Sequence, residues 1–389
     1  MGIVSRFFQV IQQSFFLFGP RGTGKSTLIK HAYPDALLID LLEPHLYREY
    51  RARPERLKNL LEAHPDKKTI IIDEVQKAPE LLSVVHQLIE LKTSGEPKTN
   101  WQFILTGSSS RKLKRTGVDL LAGRAQLKHL HPFMAAEISQ QFNLEKNLKL
   151  GMLPLILNSE DPKGDLKAYI ALYMQEEVQM EGLIRKVDQF SQFLEMISFS
   201  QASSLNYANI ARDCHLSNKT VENYVQILED LLLSFRLPVF TKKAKRYLSD
   251  HPKFYFFDAG VYQSLRPTGP LDSPESVTGH ALETLVAQHL RAWIDYSKKE
   301  GKLYFWRTKS GLEVDFIIYG DIGFYALEVK KSSSISPQDL RGLHEFKKDY
   351  PESTVILLYG GQERIVKNGI LCIPVSDFLL GLRPDMLLQ

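Results

Sequence analysis

Eight residues near the start of the chain, Gly19, Pro20, Arg21, Gly22, Thr23, Gly24, Lys25 and Ser26, carry the spacing GxxxxGK[ST]. Each residue type has a task there. Gly19, Gly22 and Gly24 let the backbone curl until its N–H groups face phosphate oxygens; Lys25 reaches the β and γ phosphates of a nucleotide, and Ser26 can ligate magnesium. The run "FFLF" before the loop reads as a strand, and "TLIK", beginning at Thr27, opens a helix whose dipole adds to the attraction for an anion. In "KTIIIDEVQKAPELL" (68–82), Asp73 and Glu74 close an apolar strand. Asp73 is placed to hold the magnesium through water and Glu74 to polarise the attacking water. A plain acidic turn is the bland alternative, and the loop upstream weighs against it. "WQFILTGSSS" (101–110) ends in hydroxyls, with Ser108 the candidate for a hydrogen bond to the γ phosphate or the attacking water and Ser109 the alternative. Arg124 lies between a helix ending near Gly123 and a strand from Ala125. It reads either as a cation offered to a neighbouring subunit's γ phosphate or as a helix-end arginine answering the dipole.

A second constellation lies near the carboxyl end. "GHALETLVAQHLRAWI" (279–294) is an amphipathic helix with Glu283 at the edge of its buried stripe; "LYFWRTKSGLEVDFIIYG" reads as a hairpin carrying Asp315, and "GFYALEVKKS" carries Glu328 and Lys330. Residues two apart on a strand share a face, so Glu328 and Lys330 project together. A helix Glu, a strand Asp and an ExK pair in that order resemble the restriction-endonuclease-like nuclease site, and the spacing is similar to that of archaeal Holliday-junction resolvases. The resemblance implies Asp315 and Glu328 as ligands of magnesium or manganese, Lys330 as the group that orients water, and Glu283 as support. Folds of this kind also serve as DNA-binding or assembly platforms without cutting.

Apolar runs at 15–18, 36–42, 68–72 and 101–107, with helical periodicity between them, predict a doubly wound α/β sheet. The pattern from about 165 to 235 is helical, and within it "NYANIARDCHLSNKTVENYVQILEDLLL" (206–233) reads as helix-turn-helix: Ser217 caps the second helix, and Val221, Tyr224, Val225 and Leu228 recur at helical spacing. Two strands around "KKAKR" (242–246) follow, so this stretch resembles a winged helix. In a DNA reader, Asn218, Lys219, Thr220 and Asn223 sit at the exposed start of the second helix while Lys242, Lys243, Lys245 and Arg246 line the wing. Glu222 on the same helix speaks for the alternative, a protein-docking module or an ATPase lid. Asp258 in "FFDAG" reads as a local cap, and His129 and His131 as strand residues without enough partners for a metal. The expected divisions are 1–135, a P-loop ATPase core; 136–195, a helical lid; 196–268, a winged helix; and 269–389, a nuclease-like domain.

Together "GPRGTGKST", "IIIDE", "ILTGSSSRKL", "LAGR" and "GMLP" (151–154) make the chain resemble the AAA+ ATPases of bacteria and archaea that carry a C-terminal domain of unknown function. The likeness covers nearly the whole chain and implies ATP with magnesium as cofactors and a homo-oligomer, with a hexameric ring as the family expectation. Members often have an aspartate where this chain has "QEEV" (175–178). Among 389 residues, 43% hydrophobic and 24% charged, two cysteines far apart give no disulfide framework, and no apolar run reaches the ~18 residues of a bilayer span. A cytoplasmic protein without a signal peptide is the expectation. The net charge of +4 permits nucleic acid without demanding it. The convergent reading is an ATP-driven motor acting on branched or single-stranded DNA, helicase-like or translocase-like, with or without metal-dependent cleavage. A signalling or defence switch whose winged helix binds a protein is the alternative.

Overall fold

The computed structural model describes residues 4–93, 101–109, 120–174, 187–242, 251–270 and 272–388. The basic run at 111–115, the "QEEV" stretch, Lys243, Lys245 and Arg246 lie outside the described residues. Contact density divides the chain into two units: Phe8–His131 with Asp230–Leu232, and Met1–Phe7 with Pro132–Glu229 and Leu233–Gln389.

Short apolar runs separated by helices set the topology of the first unit. Its strands are β1 (Phe15–Phe18), β2 (Leu37–Asp40), β3 (Thr69–Asp73), β4 (Gln102–Gly107) and β5 (Gln126–His129). β1 is buried at every residue and β3 at its last four, as strands covered on both faces must be. All neighbours pair in parallel, in the order β2-β3-β4-β1-β5. Parallel pairing requires crossovers; helices Lys25–Ala32, Pro44–Ala52, Arg56–Ala63 and Leu81–Thr93 supply those as far as β4. Phe16, Phe18, Ile70, Ile72, Phe103 and Leu105 anchor the core. Because β4 is inserted between β1 and β3, the chain segments leaving those three strands emerge side by side at the carboxyl edge of the sheet, where ligands of open α/β sheets bind.

The second unit begins with helices Leu144–Leu150, Pro154–Leu157, Pro162–Ala168 and Val187–Ser198. A small antiparallel sheet follows, ordered β6-β8-β7, from β6 (Ser203–Ser204), β7 (Ser234–Leu237) and β8 (Lys253–Phe256), with helices Tyr207–Asp213 and Asn218–Asp230 between β6 and β7. Val221, Tyr224, Val225 and Leu228 turn inward, and Ser217 Oγ accepts the Thr220 N–H at 3.1 Å to close the helix start.

Helices Ala259–Leu265 and Pro274–Tyr296 lead to a six-stranded sheet: β9 (Gly301–Arg307), β10 (Glu313–Gly320), β11 (Gly323–Lys330), β12 (Thr354–Tyr359), β13 (Ile365–Lys367) and β14 (Ile370–Pro374). Its order is β13-β14-β12-β11-β10-β9. β9, β10 and β11 form an antiparallel meander, while β12 runs parallel to β11 after the Arg341–Asp349 crossover helix. The β9–β10 register shifts between Val314 and Ile317. That irregularity brackets Asp315, and bulges of this sort re-aim a side chain.

Two buried polar groups bind distant parts of this unit together. Asp258 does cap its helix, accepting N–H groups of Gly260 at 2.9 Å and Val261 at 3.2 Å, but its second oxygen also accepts the Met152 N–H at 2.8 Å. The local-cap reading was therefore incomplete. A Cβ on Gly151 would stand 1.8 Å from the Asp258 carboxylate, so only glycine fits the "GMLP" turn there. His289 Nε2 accepts the Ala135 N–H at 2.8 Å, and its Nδ1 lies 2.7 Å from the Leu285 carbonyl. Burial pushes the imidazole down to about 4, so it stays neutral.

Among the described residues no helix is long and apolar enough to cross a membrane.

Candidate nucleotide site and a carboxylate cluster

In the first unit the loop after β1 takes the curled form its glycines allow, with Gly22 at φ 80° and Gly24 at φ 86°, both in the left-handed region. Gly19 admits no side chain, since a Cβ would stand 2.4 Å from the Leu130 carbonyl oxygen. Gly24 forms the N-cap of the Lys25–Ala32 helix without a side-chain hydrogen bond to its first turn. Thr23 Oγ1 donates to the Pro20 carbonyl at 2.7 Å, and the buried Lys25 Nζ lies 2.7 Å from the Gly19 carbonyl and 3.2 Å from that of Pro20. Arg21 and Thr27 are exposed, and Ser26 is half-buried.

The acid pair stands two strands away from β1. Asp73 is 1% exposed; Thr106 Oγ1 donates to its Oδ1, while its Oδ2 is buried with no hydrogen-bond partner. Glu74 adopts φ 57°, an uncommon left-handed position for a residue with a side chain, and its N–H donates to Thr106 Oγ1 at 3.2 Å. The expected Ser108 is buried beside it, donating to Glu74 Oε2 at 3.5 Å and accepting from Gln76 Nε2 at 3.1 Å. Gln76 also donates directly to Glu74. Gly107 makes room for that amide, because a Cβ there would lie 2.5 Å from Gln76 Oε1. Thr106 and Gln76 are the residues that sequence reasoning missed. Arg124 is on the surface, with Nη2 donating to Glu90 Oε1 of the Leu81–Thr93 helix at 2.8 Å.

In the second unit, Asn218, Lys219, Glu222 and Asn223 are exposed on the Asn218–Asp230 helix, and Thr220 is half-buried. Lys242 is exposed, its ammonium 4.4 Å from the centre of the Tyr319 ring.

The carboxylates near the end of the chain do gather, around a residue the sequence did not announce. Lys253, at the head of β8 and 2% exposed, lies 3.0 Å from Glu283 Oε1 and 3.5 Å from Asp315 Oδ1, and it also pairs with Glu313. Tyr255 donates to Glu283 Oε1 at 2.5 Å, and the Val329 N–H donates to Asp315 Oδ2 at 2.9 Å. Glu328 and Lys330 do share a face, bonded at 2.7 Å. Burial, then the charge of Asp315, push Glu283 up to about 7 and Glu328 up to about 8. Burial alone would lower the Lys253 ammonium; Glu283, Tyr255, Asp315 and Glu313 outweigh it and hold the group well above the ordinary lysine range. The Lys253 ammonium thus contacts Glu283 and one oxygen of Asp315, two of the residues expected around a metal. Among the described residues no three His, Cys, Asp or Glu side chains converge as a metal set.

Comparison with known proteins matches residues 12–139 to the model of an AAA domain, and residues 124–272 and 278–378 to two domains of unknown function, DUF8612 and DUF4143. Uncharacterized proteins of Mycobacterium bovis and Mycobacterium tuberculosis are each 24% identical over 324 residues, 82% of this chain and 69% of theirs. Solved structures with some likeness include the Aeropyrum pernix Orc1 protein in complex with DNA, at 11% identity and TM-score 0.24, covering 66% of this chain and 87% of that one. A Thermotoga maritima RuvB variant gives 12% and 0.28 over 58% and 82% of the two chains, and AMPPCP-bound DnaA from Aquifex aeolicus 14% and 0.25 over 56% and 82%. The strand order and the loop, rather than these distant likenesses, carry the reading of the fold.

Proposed function

We propose that the chain is an ATPase that uses ATP hydrolysis to move or remodel DNA. One observation carries the hydrolytic half: the acid pair after β3 and the hydroxyls of Thr106 and Ser108 at the end of β4 meet beside the phosphate-cradling loop of β1, with Asp73 Oδ2 buried and unpartnered. The donor set fits a nucleotide with magnesium. The loop N–H groups and Lys25 suit phosphate oxygens, and Ser26 with Asp73 offers the hard oxygen ligands magnesium takes. Bound ATP supplies the phosphoanhydride bond whose cleavage drives the cycle. Glu74 orients the attacking water and accepts its proton, while Ser108 and Gln76 hold the carboxylate in place. Lys25 balances negative charge that builds on the phosphates.

Arg124 serves a neighbouring subunit in this reading, leaving Glu90 to reach that subunit's nucleotide, so turnover depends on self-association into a homo-oligomer. The DNA half is supported by the winged-helix order of helices and strands around β6, β7 and β8, by exposed Lys219 and Asn223 on its second helix, and by the basic residues Lys242, Lys243, Lys245 and Arg246 that the sequence places between β7 and β8. The meander of β9, β10 and β11, with the parallel β12, suits a nuclease-like domain that grips nucleic acid.

The test is ATP turnover by the purified chain, alone and with single-stranded, duplex and four-way-junction DNA. Stimulation by one of these, lost when Lys219 and Lys242 are replaced by Glu, supports the proposal. Turnover that ignores every DNA and rises only with a protein partner would instead give a nucleotide-dependent switch.

A further inference from the structure

A lysine at the head of a buried strand is a costly choice. An ammonium removed from water loses several kcal/mol of hydration unless acids surround it. Around Lys253 they come from two elements: Glu283 from the Pro274–Tyr296 helix, and Glu313 and Asp315 from β10. The Phe305 ring lies 5.4 Å from the ammonium, and the Tyr255 hydroxyl shares Glu283 with it. An ammonium has three N–H donors, and three carboxylates face this one.

The nuclease resemblance asks for something different at this place, a divalent ion between Asp315 and Glu328 with Glu283 in support. The side chains present do not fit that ion. Glu283 and Asp315 Oδ1 contact Lys253, Asp315 Oδ2 accepts the Val329 N–H, and Glu328 Oε1 is bonded to Lys330. Glu328 Oε2 is left buried without a hydrogen bond, but both oxygens of Asp315 are engaged, so an ion bridging the two acids would have to displace the Lys253 ammonium or the Val329 N–H. A divalent ion added beside Lys253 would also meet a like charge in a poorly screened interior.

We propose that Lys253 is the resident cation of this carboxylate cluster, standing where a cutting site would hold its metal, so that the domain keeps its fold without a divalent ion. That the domain then grips DNA without cleaving it rests on the function proposed above; the resident cation does not.

The test is manganese binding to the full-length, nucleotide-free chain, followed by the electron-spin resonance of the free ion. Wild type and Asp315→Asn are expected to bind the same amount. Lys253→Met, which removes the charge and keeps the length, is expected to gain one manganese ion per chain and to lose it again when Asp315→Asn is added. A wild-type chain that binds one ion more than Asp315→Asn would overturn the proposal, as would a folded Lys253→Met that gains none. Should Lys253→Met fail to fold even with manganese, the wild-type comparison decides by itself. Neither ATP nor DNA enters this measurement, so a chain that binds manganese here can still show DNA-stimulated turnover, and a chain with no response to DNA can still carry the resident lysine.

Discussion

Two buried lysines of this chain, Lys25 and Lys253, are held in different ways. Lys25 opens the helix that follows the loop after β1, and the pair Asp73 and Glu74 lies at the end of β3, with β4 inserted between. Lys253 is in direct contact with Glu283, Glu313 and Asp315. Lys25 Nζ reaches the backbone carbonyls of Gly19 and Pro20, contacts that a bound phosphate can replace in the ATPase proposed above. Lys253 instead has its charge compensated by three carboxylates in direct contact. In the readings proposed above, the same residue types make a reactive centre in one unit and a structural one in the other.

Glu74→Gln cuts into the reactive centre most deeply. Losing the proton acceptor should slow ATP turnover by ~10²–10⁴-fold while nucleotide binding persists, read by steady-state turnover beside equilibrium binding of a fluorescent ATP analogue. Exchanging each lysine for methionine sharpens the contrast directly. Lys253→Met leaves buried carboxylates uncompensated and should cost about 3–5 kcal/mol in urea unfolding. Lys25→Met should cost less in unfolding, about 1–3 kcal/mol for the carbonyls of Gly19 and Pro20 it leaves, and weaken nucleotide binding by ~100-fold, the loss of a charged hydrogen bond worth about 3 kcal/mol.

Asp258 supplies a third case, an acid whose partners are backbone N–H groups alone. Burial lifts its carboxyl from 3.8 to about 6 despite those donors. The folded value lies above the unfolded one, so the folded chain holds the proton more tightly. The stabilisation is complete below about pH 4 and lost as pH rises to about 6, a change of about 2 to 3 kcal/mol. Subtracting the unfolding curve of Asp258→Asn from that of wild type across this range isolates the effect; a flat difference would contradict it. The smallest expected change belongs to Gln76→Ala. It should lower kcat about 3- to 10-fold, the worth of roughly one hydrogen bond, with KM unaltered, as for a side chain that positions Glu74 without touching substrate.

What the sequence made legible follows from how locally each feature is encoded. The phosphate loop is eight consecutive residues, and its conformation depends on glycines within it, so Gly22 and Gly24 could be read in place. The acid pair was legible because an apolar strand ends on it. Gln76 was not, since a polar residue two positions past Glu74 looks like any turn residue until Gly107 on β4 is seen to leave space for its amide. Lys253 was hidden more thoroughly. Its partners Glu283 and Asp315 lie 30 and 62 residues on, and lysine at a strand end ordinarily marks solvent. Asp258 was half-read: its bonds to Gly260 and Val261 are local, while Met152 is 106 positions away. The strand order escaped sequence reasoning as well, because periodicity names strands without saying which ones are neighbours.

The bonds from Asp258 to Met152 and from His289 to Ala135 have a consequence for how such a chain can be recombined. Each joins a residue near the start of the second unit to one more than a hundred positions later. A chimera that takes residues 132–160 from one homologue and 250–295 from another would have to match a backbone donor to a side-chain acceptor at both places, and would strand buried polar atoms where it failed. Crossovers that keep both stretches from the same parent avoid that conflict, so the two segments are expected to be inherited together although their sequence neighbours can be exchanged.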